Sequence, residues 1–291
     1  MTRDCASAPL LSVLIPAYNQ SAGVERAVAS LLHATGRGDV ELIVADDSSD
    51  ELAADKIERI VQTFPQAIYR RNRPALGAVP NWNSLLAGAH GRYCIVLHHD
   101  EAFAEPAALP RLLAALGAAE SARVWILACS VATGSVREPR LHFPPRLAAA
   151  VARRFPAYLF RRNLIGPPSA LIVRREDYLP YDRRLQWYVD VECYFRILST
   201  TRSVAPWLGA GVISHTDAVN SITASLSSRL SEIKRAERLL LAAAYGHLGQ
   251  TRWLFSPSIG ARCVRSLETL VWGLFRLVQR TVQVAQGARD R

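Results

Sequence analysis

The chain has 291 residues, half of them hydrophobic, and a formal net charge of +10 at pH 7. This composition excludes a largely disordered chain, and the length suits one large domain with an appendage. The charge excess is almost wholly arginine, because Lys56 and Lys234 are the only lysines. The arginines are scattered and form no basic helix interleaved with aromatics, so the sequence does not indicate a nucleic-acid-binding module.

Three apolar strands are predicted in the first third of the chain, and each ends in polar side chains. They cover residues 11–16, 41–46 and 93–97. Helical patterns at 24–33, 51–64 and 82–89 alternate with them. This alternation predicts an α/β fold with a mostly parallel sheet flanked by helices. In a doubly wound order 3-2-1-4, the first and fourth strands are neighbours, and their carboxyl ends open one crevice.

Two common nucleotide-binding motifs are absent. The first strand is not followed by Gly-x-Gly-x-x-Gly, which argues against a nicotinamide or flavin dehydrogenase, and no Gly-Lys-Ser/Thr phosphate loop is present. The loop after the first strand instead offers backbone groups and an aromatic ring, which suits a nucleoside base.

The cysteine pattern and the termini bear on location. The five cysteines include no Cys-x-x-Cys pair, so neither a zinc site nor a disulfide framework is predicted. Cys94 and Cys129 lie in apolar segments, where we expect small core residues. The first ten residues lack the apolar stretch of a signal peptide, and no run reaches the roughly 18 apolar residues of a spanning helix. These features predict a cytoplasmic protein.

Several ordered segments resemble one enzyme family. The sequences IPAYN at 15–19, VADDSSD at 44–50, NWN at 81–83 with GRY at 91–93, and LHHDE at 97–101 are similar to the inverting family 2 glycosyltransferases of GT-A type fold. The resemblance covers roughly residues 10–220. It implies a catalytic domain at 1–220, with a nucleotide-binding half at about 10–105 and an acceptor half at about 106–220. After about residue 220 the resemblance fades, and the sequence pattern predicts a helical extension at 221–291.

The resemblance also implies a function and a set of ligands. The protein is expected to transfer a sugar from a nucleotide-diphosphate sugar to a glycan or lipid-linked acceptor, in bacterial surface polysaccharide synthesis. A divalent cation, Mg²⁺ or Mn²⁺, is expected beside the diphosphate. The donor-binding residues that it implies are Pro16, Ala17, Tyr18, Asn19, Asp47, Asn83, His98 and His99.

The acids after the second strand have competing interpretations. Asp47 matches the carboxylate that reads an N–H of uracil, thymine or guanine, and its structural alternative is a helix cap. For Asp50 the cap is the preferred interpretation. Asp46 is open between a ribose contact and support of the loop.

The expected metal ligand is Asp100. The family usually shows Asp-x-Asp here, and this chain has His98 in place of the first acid, with Glu101 after Asp100. One carboxylate with diphosphate oxygens and waters suffices for Mg²⁺, whereas Mn²⁺ accepts imidazole better. Metal-free catalysis and a degenerate site remain alternatives. For His98, the alternative is a structural role as a buried core histidine. His215 is a second, less certain metal candidate, for which a structural role is the alternative.

The resemblance implies Asp190 as the catalytic base, because the family pattern has an acid about six residues before an arginine. Asp190 lies on a helix predicted from residue 187 onward. An acceptor hydroxyl must lose its proton as the new bond forms, which an ionised carboxylate accomplishes. The alternative for Asp190 is a charge that complements the helix dipole, and this is preferred for Glu192. Gly166 and Ser169 are expected on the acceptor side, with a plain loop as the alternative.

The carboxyl-terminal segment at 259–284 has a broad apolar face with arginines beside it. Two interpretations stand, namely a helix in a membrane interface and a helix packed on the catalytic domain or on a second subunit. The former agrees with a position at the inner face of the plasma membrane. The replacement of the first acid by His98 also motivates a different function, a non-catalytic nucleotide-sugar-binding or scaffolding protein that retains the fold.

Overall fold

A computed structural model describes residues 8–33, 38–119, 121–132, 140–215, 227–249 and 251–255. In the first part strand and helix alternate: β1 (Leu11–Ala17), α1 (Ser21–Ala29), β2 (Val40–Asp46), α2 (Glu51–Val61), β3 (Ile68–Arg71), α3 (Ala78–Ala87) and β4 (Tyr93–Val96). The chain continues with β5 (Glu101–Phe103), α4 (Ala108–Ala118), β6 (Val124–Ile126), β7 (Cys129–Ala132), β8 (Arg140–Leu141), α5 (Pro145–Arg154), β9 (Leu171–Arg174), α6 (Val189–Thr200), β10 (Val204–Pro206), β11 (Val212–His215), α7 (Leu230–Tyr245) and α8 (Arg252–Phe255).

The main sheet has seven strands in the order β10-β6-β9-β4-β1-β2-β3. β1 pairs in parallel with both β2 and β4, and β2 pairs in parallel with β3, which confirms the predicted order 3-2-1-4. β9 runs antiparallel between β4 and β6. The mostly parallel α/β fold with flanking helices is therefore confirmed, and β1 and β4 lie side by side at the point where the winding reverses.

The central strands are buried on both faces, as their continuous apolar runs predict. β1 and β4 have no exposed side chain, and even Ser12 is fully buried, where its hydroxyl donates to Glu41 and accepts from the Gly91 amide at 2.8 Å. β1 was expected to stop at Pro16, but it continues to Ala17. Pro16 lies beyond Leu14, the last β1 residue that pairs with β4, so its missing amide removes no bond from that ladder.

Two of the three predicted helices begin earlier than expected, and one of them is α1, which begins at Ser21 instead of residue 24. α3 was predicted from Trp82 but begins four residues earlier, directly after Gly77, whose φ of +85° suits only glycine. Pro80 falls in the first turn, where helical amides have no intrahelical partner, so it does not interrupt the helix. α2 begins as expected after Asp50, whose carboxylate accepts hydrogen bonds from the Leu52 and Ala53 amides.

A second sheet, in the order β5-β11-β7-β8, joins the segment after β4 to later parts of the chain. β5 pairs antiparallel with β11, and this register sets Glu101 opposite Ser214. The pairing matters because β5 begins directly after the polar residues that follow β4. Cys94 in β4 and Cys129 in β7 are core residues, and burial raises the pKa of the Cys94 thiol to about 12.

The chain divides into two compact units, Met1–Glu237 and Arg238–Arg291. The predicted boundary near residue 220 falls outside the described residues, as does the amphipathic segment at 259–284. Among the described helices, none combines the length and the apolar character that crossing a membrane requires.

Candidate active site

The carboxyl ends of β1, β2 and β4 open into a cavity of about 870 Å³, a size typical of ligand sites. Three separate segments of the sequence meet there, as the strand order predicts. The residues that line it are Pro16, Ala17, Tyr18, Asp47, Ala75, Gly77, Ala78, Asn81, Trp82, His98, His99, Asp100, Glu101, Asn163, Pro167, Pro168, Gln186, Trp187, Val189, Asp190, Val191 and Ser214.

Two loops form one wall of the cavity, and Asn19 joins them. Its side chain donates to Ser49 Oγ at 3.0 Å and accepts from the Asp50 amide at 3.1 Å, while its own amide donates to Ser48 Oγ at 2.8 Å. Asn19 has φ of +50°, a conformation that asparagine tolerates better than most residues. It does not line the cavity, so the geometry makes it a support for the neighbouring Tyr18, whose ring is 44% exposed.

The Asp47 carboxylate lines the cavity and accepts three hydrogen bonds from the segment at 72–77. Oδ1 accepts from Asn72 Nδ2 at 2.7 Å and from the Leu76 amide at 3.2 Å, and Oδ2 accepts from the Gly77 amide at 2.8 Å. A carboxylate offers about four acceptor positions, so one on Oδ2 is left for a ligand. Asp47 can therefore hold this loop and read a base N–H at the same time.

The neighbouring Asp46 supports the loop, which decides between its two interpretations. It is fully buried, and its carboxylate accepts from the Ser48 amide and the Tyr69 hydroxyl, both at 2.8 Å. Burial first, and then the hydrogen bond to this carboxylate, raise the pKa of Tyr69 well above its ordinary value.

Asn83 does not reach the cavity, contrary to the expected donor contact. Its amide donates to the Tyr181 carbonyl oxygen at 2.9 Å and accepts from the Tyr181 amide at 2.8 Å, which ties α3 to the segment before α6. α3 instead presents Asn81 and Trp82 to the cavity. Because residues two apart on a helix face different directions, Asn81 and Asn83 cannot share one role.

His98, Asp100 and Glu101 place one ligand atom each within 4.8 Å of one another. His98 Nε2 is buried and has no hydrogen-bond partner among the described residues, as a nitrogen kept for a cation would be. Trp82 packs on the His98 ring at a centroid distance of 4.8 Å. Burial lowers the pKa of His98 to about 4, so the imidazole is neutral and able to ligate at physiological pH. These donors fit a borderline divalent cation such as Mn²⁺.

Glu101 is the residue whose importance the sequence pattern understated. It is 2% exposed, and its Oε2 accepts from the His98 amide at 2.9 Å. Burial first, and then the nearby Asp100 charge, raise the pKa of Glu101 well above its ordinary value. A bound cation would favour the ionised Glu101 carboxylate and so lower this pKa, which is the electrostatic setting of a cation site.

His99 and His215 lie beside this cluster, outside the three-residue group. His99 Nδ1 is 3.4 Å from the Pro16 carbonyl oxygen, and the ring lines the cavity. The His215 amide donates to the Asp100 carbonyl oxygen at 2.8 Å. Ser214 is the β11 residue that lines the cavity, and successive side chains of a strand face opposite sides, so the geometry does not favour His215 as a ligand.

Asp190 occupies the first turn of α6 and lines the same cavity. Its Oδ1 is buried with no hydrogen-bond partner among the described residues, and burial raises the pKa of Asp190 to about 7. Glu192 has the structural role preferred for it, because both of its oxygens accept from Arg196, at 2.7 and 2.8 Å. The two acids of this helix therefore differ, because Glu192 is paired with Arg196 and Asp190 is available to a ligand.

Gly166 and Ser169 flank the lining residues of the acceptor side without belonging to them. The Gly166 carbonyl oxygen accepts from Asn163 Nδ2 at 2.8 Å and from the Tyr194 hydroxyl at 3.3 Å, and Gly166 has φ of +105°. Ser169 is fully buried and lies close enough to Glu101 to affect its pKa. Asn163, Pro167 and Pro168 line the cavity instead. Gly166 and Ser169 therefore support the cavity wall and do not line the cavity.

Other lining residues were not singled out by the sequence. Trp82 stands inside the NWN segment and was available to that analysis, but Gln186, Trp187 and Ser214 carry no signal in their local pattern. They reach the cavity only because α6 and β11 are brought to it by the fold.

This arrangement of sheet, switch-point cavity and acids at strand ends is the GT-A type of fold, and the chain belongs to glycosyl transferase family 2, whose model matches residues 12–178. A segment of 95 residues is 39% identical to an uncharacterized protein, MT1568, of Mycobacterium tuberculosis (strain CDC 1551 / Oshkosh), and covers 32% of this chain and 28% of that protein. The match therefore spans little more than a quarter of that curated relative.

Two solved structures share the fold at low identity. S. aureus TarS 1-349 in complex with UDP-GlcNAc superposes with a TM-score of 0.63 at 13% identity, over 84% of this chain and 70% of that one. The mannosyltransferase PcManGT from Pyrobaculum calidifontis, in complex with GDP-Man and Mn²⁺, has a TM-score of 0.55 at 15% identity, over 90% and 80% of the two chains.

Proposed function

We propose that this protein is an inverting glycosyltransferase that moves a sugar from a nucleotide-diphosphate sugar to a hydroxyl of a glycan or lipid-linked acceptor. The observation that carries the proposal is one cavity that contains both the unpaired Asp190 carboxylate and the His98, Asp100 and Glu101 cluster. The former suits proton removal from an acceptor, and the latter suits the diphosphate of a donor.

Asp190 acts as the general base. An acceptor hydroxyl hydrogen-bonded to Asp190 loses its proton to the carboxylate as its oxygen bonds to the anomeric carbon. The bond from that carbon to the diphosphate breaks at the same time, and the nucleoside diphosphate leaves with the electron pair. A single displacement of this kind inverts the configuration of the anomeric carbon.

The donor binds along the carboxyl ends of β1, β2 and β4. Tyr18 offers a ring to the nucleoside, and the free acceptor position of Asp47 suits an imide or amide N–H of its base. His98, Asp100 and Glu101 would hold a divalent cation, which when bound offsets the negative charge of the diphosphate. The complexes of TarS with UDP-GlcNAc and of PcManGT with GDP-Man and Mn²⁺ support this choice of donor and cation.

The proposal extends to the biological setting. The net charge of +10 and the basic amphipathic segment at 259–284 support a peripheral position at the inner face of the plasma membrane. A lipid-linked acceptor in surface polysaccharide synthesis agrees with that position.

A donor screen tests the proposal directly. We expect uridine, guanosine or thymidine diphosphates to raise the melting temperature in the presence of Mn²⁺, because a ligand stabilises the folded state by mass action. Transfer from the matching nucleotide sugar is then measured for the wild type and Asp190→Asn, and the variant should lose at least about 100-fold in kcat. Near wild-type turnover in a folded Asp190→Asn protein would remove Asp190 from the mechanism.

The same experiment separates transfer from the non-catalytic alternative. Calorimetry that finds tight nucleotide binding, with no turnover across a broad acceptor panel, would favour a nucleotide-sugar-binding scaffold. The absence of any nucleotide binding would reject both functions.

A further inference from the structure

Glu237 is an acidic residue that the proposed chemistry does not use, and it is buried, with 3% of its surface exposed. It lies on α7, 37 residues after Thr200, the last residue of α6. Its carboxylate accepts from the amides of three consecutive residues. The Gln186 amide donates to Oε1 at 2.6 Å, the Trp187 amide to Oε2 at 3.1 Å, and the Tyr188 amide to Oε2 at 2.9 Å.

These amides belong to the three residues directly before α6, which begins at Val189, and Tyr188 is the N-cap residue of that helix. Tyr188, the residue before the helix, provides no side-chain cap. The Glu237 carboxylate from another helix therefore holds the backbone that leads into α6, and its negative charge lies beside the positive end of the helix dipole. We call this contact of Glu237 with residues 186–188 the amide clamp.

Lys234 strengthens the same contact from one turn earlier on α7. Its ammonium lies 4.1 Å from the centroid of the Trp187 ring, within the range of a cation–π interaction. Residues three apart on a helix share a face, so Lys234 and Glu237 hold the ring and the backbone of one segment together.

The held segment forms part of the cavity wall. Gln186, Trp187 and Asp190 all line the cavity, and Asp190 follows the clamped amides by two residues. Asp190 Oδ1 has no hydrogen-bond partner among the described residues, so no polar contact fixes that oxygen directly. The position of the carboxylate must then follow the backbone that carries it.

We infer that Glu237 is a positioning residue, which sets the place of Asp190 through the amide clamp and through it the rate of sugar transfer. The inference rests on the proposed function, because Asp190 matters only if it is the base. Displacements of about 1 Å can cost on the order of 100-fold in rate, so a contact outside the cavity is able to control turnover.

The test compares Glu237→Gln with Glu232→Gln, a matched control on the same helix whose side chain is 77% exposed. An amide side chain has one acceptor oxygen and sets an NH₂ group against the clamped amides, so it cannot reproduce the contact. We expect kcat for transfer to fall by about 10- to 100-fold in Glu237→Gln, with the affinity for a nucleoside diphosphate unchanged. The control should match the wild type in both measurements.

Hydrogen exchange of the peptide that covers residues 184–195 gives a readout independent of transfer. The clamped amides should exchange at least about tenfold faster in Glu237→Gln than in the control. If Glu237→Gln does not fold, Glu237→Asp carries the test. It keeps the charge with a shorter reach, and we expect intermediate exchange and intermediate turnover.

Unchanged exchange, unchanged turnover, or a parallel loss of turnover and nucleotide affinity would each overturn the inference. A wild-type protein that binds nucleotide and transfers nothing would refute the proposed function, and with it the role of Glu237 toward a base. The exchange data would still report whether the amide clamp exists, so the two failures are distinguishable.

Discussion

At the scale of single residues, the burial of Asp190 affects both catalysis and stability. The pKa of its carboxyl is raised to about 7, so the base is ionised only above that pH. We expect kcat/KM to rise about tenfold per pH unit below 7 and to level off above it. Transfer measured from pH 5.5 to 8.5 checks this, and a flat profile would contradict the assignment of the base.

The same pKa shift predicts how stability depends on pH. The folded state binds this proton more tightly than the unfolded chain, whose value is near 3.8, so the contribution of Asp190 to the free energy of unfolding falls from about pH 4 to pH 7. Asp190→Asn should therefore be more stable than the wild type at pH 8. Because the residue is half-buried and partly screened, we expect a gain of about 1–2 kcal/mol in urea unfolding, which disappears near pH 4.

Asp47 predicts a preference among nucleotide bases. Uridine, thymidine and guanosine diphosphates carry a ring N–H for its free acceptor position, whereas the ring N3 of cytidine diphosphate is itself an acceptor. We expect at least one of the uridine, thymidine and guanosine diphosphates to bind at least about tenfold more tightly than cytidine diphosphate. The Asp47→Asn variant should abolish this difference in affinity. Asn72→Ser removes a donor to the carboxylate but keeps the charge, so in calorimetry it should retain the preference.

His98 predicts the choice of cation. His98 is one of the three residues proposed to hold the cation, and a nitrogen ligand favours Mn²⁺ over Mg²⁺. In calorimetry with a nucleoside diphosphate we expect Mn²⁺ to bind at least about tenfold more tightly than Mg²⁺, and His98→Asp to narrow that ratio. The magnetic resonance spectrum of bound Mn²⁺ should also show coupling to an imidazole nitrogen. The exposed His33→Gln is the control, and coupling that persists in His98→Asp would exclude His98 as the ligand.

At the scale of elements, α1 packs closely on the turn between β4 and β5 through Gly23. A Cβ atom at this position would lie 2.2 Å from the His99 carbonyl oxygen, so the helix or the turn must move. We expect Gly23→Ala to cost roughly 2 kcal/mol in unfolding free energy and to weaken nucleotide binding, because His98 to Asp100 would shift. Gly38→Ala, with nothing within 4 Å of the added atom, should leave both quantities unchanged. Equal behaviour of the two variants would mean that the α1 contact does not set the cavity.

α6 shows how one helix separates two acids in its first turn. Glu192 is buried and paired with Arg196, and this pair fixes the helix against the segment before it through a bond from Arg196 to the Pro180 carbonyl oxygen at 2.6 Å. Asp190, two residues earlier, turns to the cavity. Glu192, which is paired, anchors α6, and Asp190, which is unpaired, is available to accept a proton in the cavity.

At the scale of the whole molecule, the lining residues of the cavity, among those that the structure describes, extend no further along the chain than Ser214. Removing the chain after about residue 250 should therefore keep nucleotide binding. If the segment at 259–284 lies on a membrane, the truncated protein should also be more soluble, since the apolar face is lost with it.

Flotation with anionic vesicles tests the membrane contact. Each basic contact is worth about 1 kcal/mol near an anionic surface, so the full chain should float at low salt and less so at high salt, while the truncated chain should stay at the bottom. A full chain that stays at the bottom at low salt would leave packing on protein or a dimer as the better account of this segment.

Much of the framework was determined by sequence alone, because it depends on local patterns. Continuous apolar runs identified β1, β2 and β4, and their alternation with helices implied the order 3-2-1-4 and a crevice between β1 and β4. The cap at Asp50 is equally local, since a helix N-terminus and its capping carboxylate are adjacent in the chain.

The roles inside the crevice were decided by tertiary structure, because each depends on partners far away in sequence. Asn19 and Asn83 lie within family-like motifs, yet their hydrogen bonds go to residues 30 and 98 positions away, and this removes them from the cavity wall. Glu237 has no local signal at all, and it meets the start of α6 only when α7 folds back on it. A side chain has one set of hydrogen-bonding atoms, and only the folded chain determines whether those atoms face a ligand or another segment of the protein.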